Sequence, residues 1–331
     1  MISSKEQQKL AHALERRFGT SCSIANIVVP TLGGSNRTII FDLVEGASRR
    51  RMVSRQTTYV GEHNPFLPTT MQFAIMRLAF DNDVPVPEPI LLYEPADGLG
   101  EGFITEFVEG ETRPTQILAS AQFESLRPKL AAKTGEVLAR LHRIDQAKAV
   151  EISSTSDSID ALSAQVRRYD LYDEPHPAIE LGLRWLEQNR PKSSERVVVH
   201  GDFRNGNLMV DTSGIRAVLD WECAHLGDPA EDIGWLCTRS WRFNRPDLVV
   251  GGFGHLKDLL ESYADNGGRS IKIDEVRYWQ VFGLVRWAII NIMQAHGHVF
   301  GGRRSVVFAA CGRNTSLIEY DLLMTLRRSY Q

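Results

Sequence analysis

The fold is decided by the stretch Arg-Val-Val-Val-His-Gly-Asp-Phe-Arg-Asn-Gly-Asn-Leu-Met-Val-Asp (196–211), which continues as Ile-Arg-Ala-Val-Leu-Asp-Trp-Glu (215–222). It contains three short apolar runs, at 197–199, 208–210 and 215–219, with Gly, Asn, Asp or Ser in the segments around them. This pattern predicts three strands joined by tight loops. If the second and third strands pair, the chain returns beside itself and brings together the polar residues that flank the pair.

Three of those polar residues suit one kind of chemistry. Asn207 follows Asp202 by five residues, and Asp220 lies thirteen residues further on. Mg²⁺ prefers oxygen ligands and is usually held by one or two protein groups together with substrate phosphates. Asn207 and Asp220 can supply such oxygens, which leaves Asp202 to accept a hydroxyl proton. The spacing from His200 to Asp220 is that of the protein-kinase catalytic loop and its metal-binding Asp, with Gly201 where protein kinases carry Arg.

Length and charge limit the classes of function. The chain has 331 residues, 43% of them hydrophobic, which is ample for a large core and indicates more than one lobe. The formal net charge is −3, from 38 basic and 41 acidic residues. No strong basic field favours nucleic acid, so we expect no nucleic-acid partner.

The cysteines and the apolar segments indicate a soluble, cytoplasmic protein. None of the four cysteines forms a C-x-x-C pair, and reduced thiols are expected. The first nine residues are polar and lack the apolar core of a signal peptide. The most apolar late run, 281–293, is interrupted by Arg286 and is too short to span a bilayer, so no membrane partner is expected. The oligomeric state is left open.

The sequence resembles the aminoglycoside phosphotransferase and choline kinase-like family of small-molecule kinases, over nearly the whole chain. The resemblance rests on the motifs His200-Gly-Asp202, Asn207, Leu219-Asp220-Trp221-Glu222 and Gly227-Asp228-Pro229-x-x-Asp232. It implies an α+β, bilobal protein-kinase-like fold. Residues 1–107 would form a small N-terminal nucleotide-binding lobe, with an antiparallel β-sheet and one C-type helix. Residues 108–331 would form a larger, mostly helical catalytic and acceptor-binding lobe.

A glycine turn between two predicted strands matches the phosphate-covering loop of kinases. The turn contains Gly33, Gly34, Ser35 and Asn36. Glycines let backbone amides approach phosphate closely, and the Ser and Asn side chains could add donors. The alternative interpretation of the two glycines is an ordinary hairpin turn.

The third predicted strand, 51–56, carries the candidate phosphate-binding cation. Kinases place a Lys here, and the resemblance implies that Arg55 takes its role. Arg is permanently charged and binds phosphate through two nitrogens. The alternative is a surface Arg on a strand. A helix predicted over 70–81 occupies the C-helix position, where Gln72 replaces the usual Glu; its neutral amide could hydrogen-bond Arg55 but gives no ion pair.

The resemblance also places the nucleoside. It implies a hinge at 106–110, where the backbone of Glu106 and Val108 would hydrogen-bond the purine edge, and it places Met209 against the nucleotide. The cofactors implied are ATP, with GTP as an alternative, and Mg²⁺. After Asp220 the chain runs almost directly into Gly227, which leaves no room for a peptide platform. A small-molecule hydroxyl acceptor is therefore expected.

The helical part is expected to build the acceptor pocket. The candidate regions are 158–170, 221–222, 235–241 and 279–287. Aromatic residues there could cage a quaternary amine, although they are more commonly core or pocket wall. Few carboxylates cluster, which argues against aminoglycosides. Some members of the resembled family lie beside acyl-CoA dehydrogenase-type enzymes, which admits a hydroxylated acid or its thioester as acceptor.

Several nearby polar residues are predicted to have structural roles. Asp228 is expected to cap a helix that begins at Pro229, and Asp232 is also expected to be structural. His200 is expected to hydrogen-bond within its loop, and His142 to be a buried or capping histidine.

The primary hypothesis is transfer of the γ-phosphoryl group from Mg-ATP to a small-molecule hydroxyl, with Asp202 as the base. A second hypothesis is a catalytically weak or inactive nucleotide-binding protein with a regulatory role, which Gln72 favours. A third is a metal-dependent hydrolase using Asp202, Asp220 and His200; it leaves the glycine turn and the hinge without a purpose.

Overall fold

Strands dominate the first third of the chain and helices the remainder. The computed structural model describes residues 2–30, 36–58, 66–150, 160–192, 195–301 and 304–328. The strands are β1 (Ser23–Val28), β2 (Asn36–Glu45), β3 (Ser48–Thr57), β4 (Pro89–Leu92), β5 (Gly102–Glu106), β6 (Val197–Val199), β7 (Leu208–Asp211), β8 (Gly214–Val218) and β9 (His225–Gly227). The helices are α1 (Ser4–Phe18), α2 (Thr69–Phe80), α3 (Pro114–Ala119), α4 (Arg127–His142), α5 (Gln146–Val150), α6 (Ala161–Asp170), α7 (Pro177–Gln188), α8 (Ala230–Leu236), α9 (Leu256–Asp265), α10 (Ile273–Val299) and α11 (Val306–Leu326).

The first five strands form one antiparallel sheet in the order β1-β2-β3-β5-β4. On β2 the residues Ile39, Phe41 and Leu43 are buried while their neighbours are not, as expected when one face of a sheet covers a core. Helix α1 packs on that core through Leu10 and Leu14, whose four-residue spacing puts them on one face. Each such buried side chain contributes about 1.5–3 kcal/mol. The antiparallel sheet that the resemblance implies for the N-terminal part is confirmed, and it has five strands.

The chain divides into two compact units. The first comprises Met1–Glu111 together with Leu208–Asp211 and Ile215–Ala224, and the second comprises the rest. Strands β7 and β8 pair across a two-residue connection, as predicted. Strand β7 and most of β8 belong to the first unit. The observed division therefore differs from the one predicted between residues 107 and 108. A single boundary cannot describe a unit that contains two later segments of the chain.

Backbone hydrogen bonds hold the returning segment in the first unit. Val218 N–H donates to Pro85 O at 2.7 Å, and Leu67 N–H donates to Glu222 O at 2.8 Å. Glu111 N–H donates to Val210 O, also at 2.8 Å. The aspartate that follows β8 is therefore positioned by residues of the N-terminal sheet and its loops.

The second unit is mostly helical. Helix α4 packs against α9, and the long helix α10 packs against α7, α8 and α11. The approach of α8 to α10 requires a glycine, because a Cβ atom at Gly234 would lie 2.4 Å from the Cβ atom of Trp279. Strands β6 and β9 pair antiparallel, with Val199 opposite His225. This pairing fixes the end of β6, from which the loop that contains Asp202 and Asn207 begins. Within the described part of the chain, no helix is both long and apolar enough to cross a membrane.

The start of α8 differs by one residue from its sequence-based prediction. The N-cap position is Pro229, and the helix begins at Ala230. Asp228 nevertheless accepts a hydrogen bond from the Ala230 N–H at 2.8 Å, and its carboxylate pairs with Arg269 at 3.0 Å. Asp228 thus caps the first turn from one position further upstream, and its role is structural as predicted.

Candidate active site

The loop after β6 brings Asp202 and Asn207 together. The Nδ2 atom of Asn207 donates to Asp202 Oδ2 at 2.7 Å and to the Asp202 carbonyl oxygen at 2.9 Å. Gly201 makes the turn possible with a φ of 74°, in the left-handed region that favours glycine. Because the amide nitrogen of Asn207 faces Asp202, its Oδ1 atom is the one suited to a cation.

Two further side chains hold the Asp202 carboxylate. The indole Nε1–H of Trp235 donates to Oδ1 at 2.8 Å. The Nε–H of Arg204 lies 3.1 Å from Oδ1 and 3.3 Å from Oδ2. The sequence predicts neither contact with Asp202, although Trp235 lies in the 235–241 region named as a candidate for the acceptor pocket. Arg204 occupies a variable position of the motif, and Trp235 lies 33 residues away in the chain.

A buried aspartate fixes the backbone of the same loop. Asp232 is fully buried, and its carboxylate accepts hydrogen bonds from the backbone N–H groups of His200 at 2.8 Å and of Gly201 at 2.9 Å. The Nε2 atom of His142 lies 3.3 Å from Asp232 Oδ2, and its Nδ1 atom lies 2.9 Å from the hydroxyl of Tyr263. The predicted structural role of Asp232 and the burial of His142 are confirmed.

The charge state of Asp232 follows from these contacts. Burial raises the pKa of Asp232, but the hydrogen bond from His142, the electrostatic effect of the His142 and His200 imidazoles, and the His200 N–H together lower it by more. The net pKa lies below the ordinary value, so Asp232 is ionised at neutral pH. Within the loop, His200 Nδ1 accepts from the Asp202 N–H at 3.2 Å, which confirms the predicted orienting role of His200.

In the first unit, Asp220 pairs with Arg55. The Nη2 atom of Arg55 donates to Asp220 Oδ1 at 2.7 Å. Burial lowers the pKa of Arg55, while the carboxylates of Asp220 and Glu222 raise it by more, so it lies above the ordinary value. Asp220 itself has a φ of 71° and a ψ of 63°, a left-handed conformation that is uncommon outside glycine and concentrates at functional sites.

Gln72 does not take part in this ion pair. Its Nε2 atom donates to the Leu67 carbonyl oxygen at 2.7 Å, and the side chain is buried. No hydrogen bond joins it to Arg55 within the described residues. The contact considered from the sequence is thus not formed. The Leu67 carbonyl oxygen lies in a buried part of the unit and needs a donor, which the Gln72 amide supplies.

The remaining nucleotide-binding candidates lie in or beside the N-terminal sheet. Gly33, Gly34 and Ser35 fall outside the described residues. Asn36 begins β2, and its Nδ2 atom donates to Glu222 Oε2 at 2.9 Å. Glu106 ends β5.

The predicted hinge follows β5 in the first unit. Across the described part of the chain, the backbone of Val108 makes no hydrogen bond. Met209 lies on β7 and packs against the end of the hinge, since a Cβ atom at Gly110 would lie 2.7 Å from Met209 Cγ. Val108 therefore keeps the backbone groups that a purine edge would need.

A cavity of about 300 Å³ opens in the second unit, with Asp160, Arg190, His225, Glu231 and Tyr278 in its wall. Burial raises the pKa of Tyr278 to about 12, so its hydroxyl keeps its proton at neutral pH.

One wall residue of this cavity, Glu231, is connected through Arg286 to the loop that contains Asp202. Glu231 Oε1 lies 4.0 Å from Nη1 of Arg286, and that nitrogen donates to the Gly201 carbonyl oxygen. The guanidinium of Arg286 also stacks on Trp235, 5.1 Å from the ring centroid. The 158–170 and 279–287 regions named from the sequence thus contribute wall residues, among them Asp160 and Trp279, to a cavity linked to the loop of Asp202.

Family membership follows from a comparison with family models. The model described as the phosphotransferase enzyme family matches residues 31–265, and the chain belongs to this family. The match contains the glycine turn, Arg55, the catalytic loop and Asp220. The resemblance to the aminoglycoside phosphotransferase and choline kinase-like family is thereby confirmed.

Solved structures show the same fold. A candidate aminoglycoside phosphotransferase from Ralstonia eutropha JMP134 matches 97% of this chain and 98% of its own, with a TM-score of 0.75 and 22% identity. A spectinomycin phosphotransferase, in complex with ADP and spectinomycin, matches 96% of this chain and 98% of its own, with a TM-score of 0.64 and 13% identity. The predicted α+β protein-kinase-like fold is confirmed.

A curated relative is much longer than this chain. Acyl-CoA dehydrogenase family member 10 from Mus musculus is 28% identical over 236 residues. Those residues make up 66% of this chain but 22% of that protein. The chain thus spans less than a quarter of the relative.

Proposed function

We propose that the protein transfers the γ-phosphoryl group of ATP to a hydroxyl group of a small molecule. One observation carries the proposal: the Asp202 carboxylate is bound to the Asn207 amide in a loop whose backbone is fixed by buried Asp232. Membership of a phosphotransferase family supports it. The ADP bound in the spectinomycin phosphotransferase supports a nucleotide donor, with GTP as the alternative to ATP.

Each predicted site residue has a role in this proposal. Asp202 orients the acceptor hydroxyl and takes its proton. Arg55 and the turn at 33–36 position the phosphate tail, while Glu106, Val108 and Met209 bind the nucleoside. Both predicted metal ligands offer oxygen donors of the kind that Mg²⁺ prefers, so Asn207 and Asp220 fit the ion. Bound Mg²⁺ would neutralise charge on the phosphate oxygens.

The acceptor is proposed to be neither a quaternary amine nor a polycation. Guanidinium groups already stack on two of the tryptophans, Arg204 on Trp241 at 4.7 Å and Arg286 on Trp235 at 5.1 Å. A quaternary amine would compete with these cations for the aromatic faces. The relative described as an acyl-CoA dehydrogenase family member makes hydroxylated acids and their thioesters a class to test. We also propose a cytoplasmic location, with no nucleic-acid partner.

The test is a comparison of Asp202→Ala with wild type. ADP release is measured with separate pools of sugars, amino alcohols, hydroxy acids with their thioesters, and aminoglycosides. The variant should bind nucleotide normally by calorimetry and lose about 10²–10⁴ in transfer rate, the usual contribution of a general base. Asp247→Ala, at an exposed residue of the same unit, is the control. Near-normal turnover of the Asp202 variant would count against the proposal.

A second candidate function is a nucleotide-binding protein with little or no turnover and a regulatory role. The observation that favours it is Gln72, which gives Arg55 no carboxylate partner on α2. Such a protein would be stabilised against heat by Mg-ATP yet release no ADP with any acceptor pool. Acceptor-dependent ADP release by the wild type would reject this candidate.

A further inference from the structure

Two contacts hold Arg204 beside the proposed base. Its Nε–H donates to Asp202, 3.1 Å from one carboxylate oxygen and 3.3 Å from the other. The guanidinium lies over the ring of Trp241, 4.7 Å from the centroid. Trp241 in turn packs against Trp235 and Trp287, each with a centroid distance of 5.2 Å. The guanidinium therefore has one edge on Asp202 and one face on an aromatic cluster.

The terminal nitrogens of Arg204 remain available. Within the residues that the structure describes, neither Nη1 nor Nη2 has a hydrogen-bond partner, and the side chain is 27% exposed. Gly206 leaves the space for them, since a Cβ atom there would lie 2.7 Å from Nη1. By contrast, both terminal nitrogens of Arg242, in the same unit, donate hydrogen bonds, Nη1 to the Pro246 carbonyl oxygen and Nη2 to that of Cys237. Arg204 thus presents an unused pair of donors in the geometry that fits the oxygens of a phosphoryl group.

The chemistry of transfer places a phosphoryl group within reach of those donors. A hydroxyl that gives its proton to Asp202 lies about 2.6–3.2 Å from the carboxylate. The phosphorus that it attacks lies about 3–3.5 Å further on. The guanidinium of Arg204 lies at the same carboxylate, which puts its terminal nitrogens within reach of a phosphoryl group on that side of Asp202.

We propose that Arg204 is a catalytic residue that contacts the phosphoryl group during transfer; this inference rests on the proposed function. The acceptor hydroxyl oxygen forms a bond to the γ-phosphorus, and the bond from that phosphorus to the bridging oxygen breaks. The electron pair leaves with ADP, and the hydroxyl proton passes to Asp202. Arg204 stays protonated and donates hydrogen bonds to the non-bridging oxygens of the transferred group.

The experiment compares Arg204→Met and Arg204→Lys with wild type. Calorimetry gives Kd values for ADP and for AMP-PNP, an analogue that carries the third phosphate and is not hydrolysed. Arg204→Met should bind ADP normally and AMP-PNP about tenfold more weakly, because only AMP-PNP has the group that Arg204 contacts. Its kcat should fall by about 10²–10³, the usual loss on removing one such donor. Arg204→Lys should restore part of the AMP-PNP affinity and little of kcat.

The matched control is Arg277→Met. Arg277 also stacks on a tryptophan of the second unit, Trp185, at 5.1 Å, and it lies outside the proposed machinery. This variant should change neither the ratio of the two Kd values nor kcat.

Four outcomes decide the inference. A tenfold change in the Kd ratio in Arg204→Met supports it, even if no acceptor has been found. An unchanged Kd ratio with a raised acceptor KM overturns the inference, because the Arg204 guanidinium would then bind an anionic group of the acceptor. If the Kd ratio, the acceptor KM and kcat are all unchanged, the inference is also overturned, and the role of Arg204 is structural. A wild type that binds neither nucleotide overturns the proposed function and this inference together. If Arg204→Met fails to fold, the same ratio measured in Arg204→Lys decides.

Discussion

The carboxylate of Asp202 accepts from three side chains, and each constrains it differently. Asn207 fixes Oδ2 at 2.7 Å from within the loop, and the Trp235 indole fixes Oδ1 at 2.8 Å from α8. Arg204 bridges both oxygens. Trp235 offers a donor that carries no charge and has no other hydrogen-bonding function, so its effect on the base can be removed without altering the charges around it.

Trp235→Phe removes that donor and keeps an aromatic ring. We expect kcat to fall about tenfold, because a hydrogen bond to a charged group contributes about 1.5–3 kcal/mol. The KM for nucleotide should not change, since the proposal gives the indole no nucleotide contact. Trp185→Phe, in the same unit, controls for the loss of ring size. Equal kcat values for wild type and Trp235→Phe, or an equal loss in the control, would contradict the positioning role.

Asp220 is the residue of the first unit for which the sequence makes a metal prediction. Asp220→Ala should abolish the gain in nucleotide affinity that Mg²⁺ provides, because it removes a carboxylate ligand. The measurement is calorimetric titration with nucleotide, once with Mg²⁺ and once with a chelator. Glu101→Gln, at an exposed residue of the same unit, is the control. A Mg²⁺-dependent gain equal to that of wild type would remove the metal role from Asp220.

The sequence predicts the contact between two residues that are five positions apart in one loop. It does not predict contacts that arise from helix packing. Asp202 and Asn207 form a local motif whose spacing alone suggests their contact. Trp235 reaches Asp202 only because α8 packs beneath the loop, which no local pattern encodes. Arg204 could have been noticed as a cation two residues after the base. Position alone suggests Gln72 as a partner of Arg55, but the Gln72 amide donates instead to the carbonyl oxygen of Leu67, five residues earlier.

At the scale of elements, Asp232 connects four parts of the second unit. It lies on α8, accepts from the backbone of the catalytic loop, and meets His142 of α4, which in turn meets Tyr263 of α9. The carboxylate is fully buried and away from solvent, so its charge depends on these donors for stabilisation. The loop geometry is therefore coupled to the packing of the three helices.

Asp232→Asn should destabilise the protein at neutral pH and less so in acid. The pKa of Asp232 is lowered in the folded state, whereas in the unfolded chain it is about 3.9. The ionised form therefore contributes stability that is present above about pH 4 and is lost as the pH falls through the depressed pKa. Urea unfolding from pH 7 to pH 3 measures this as a stability difference from wild type that shrinks below about pH 4. A difference that stays constant across the range would show that the charge on Asp232 contributes nothing.

Periodic elements were predicted closely, while their ends and partners were not. The helix predicted over 70–81 is observed at Thr69–Phe80, because its apolar spacing is an intrinsic signal. The observed start of α8 is one residue later than the predicted start. Asp228 caps the helix by accepting from the Ala230 N–H, although Pro229 occupies the N-cap position. Cap geometry depends on side-chain rotamers, which the residue types alone do not fix.

At the scale of the whole chain, the first unit is not contiguous. The segments Leu208–Asp211 and Ile215–Ala224 belong to it although nearly a hundred residues separate them from Glu111. The resemblance to the family implies a single cut between residues 107 and 108, and nothing in the residue types around that position marks the later return of the chain. The packing of this later segment in the first unit depends on tertiary contacts with backbone groups such as those of Pro85 and Leu67. These backbone groups carry no distinguishing sequence signal, so the sequence does not predict the contacts.

This architecture makes a prediction about fragments. Residues 1–111 alone should fail to fold cooperatively, because they lose the returning segment and its hydrogen bonds to Pro85, Leu67 and Glu111. They also lose Trp221, which is 1% exposed in the intact chain, and the Asp220 partner of Arg55. Joining 208–224 to residue 111 through a short Gly-Ser linker should restore one cooperative transition. Urea unfolding followed by circular dichroism compares the two fragments, and Trp221 fluorescence reports burial in the longer one. Cooperative unfolding of residues 1–111 at the midpoint of the joined fragment would mean that the segment packs on an already stable unit and does not complete it.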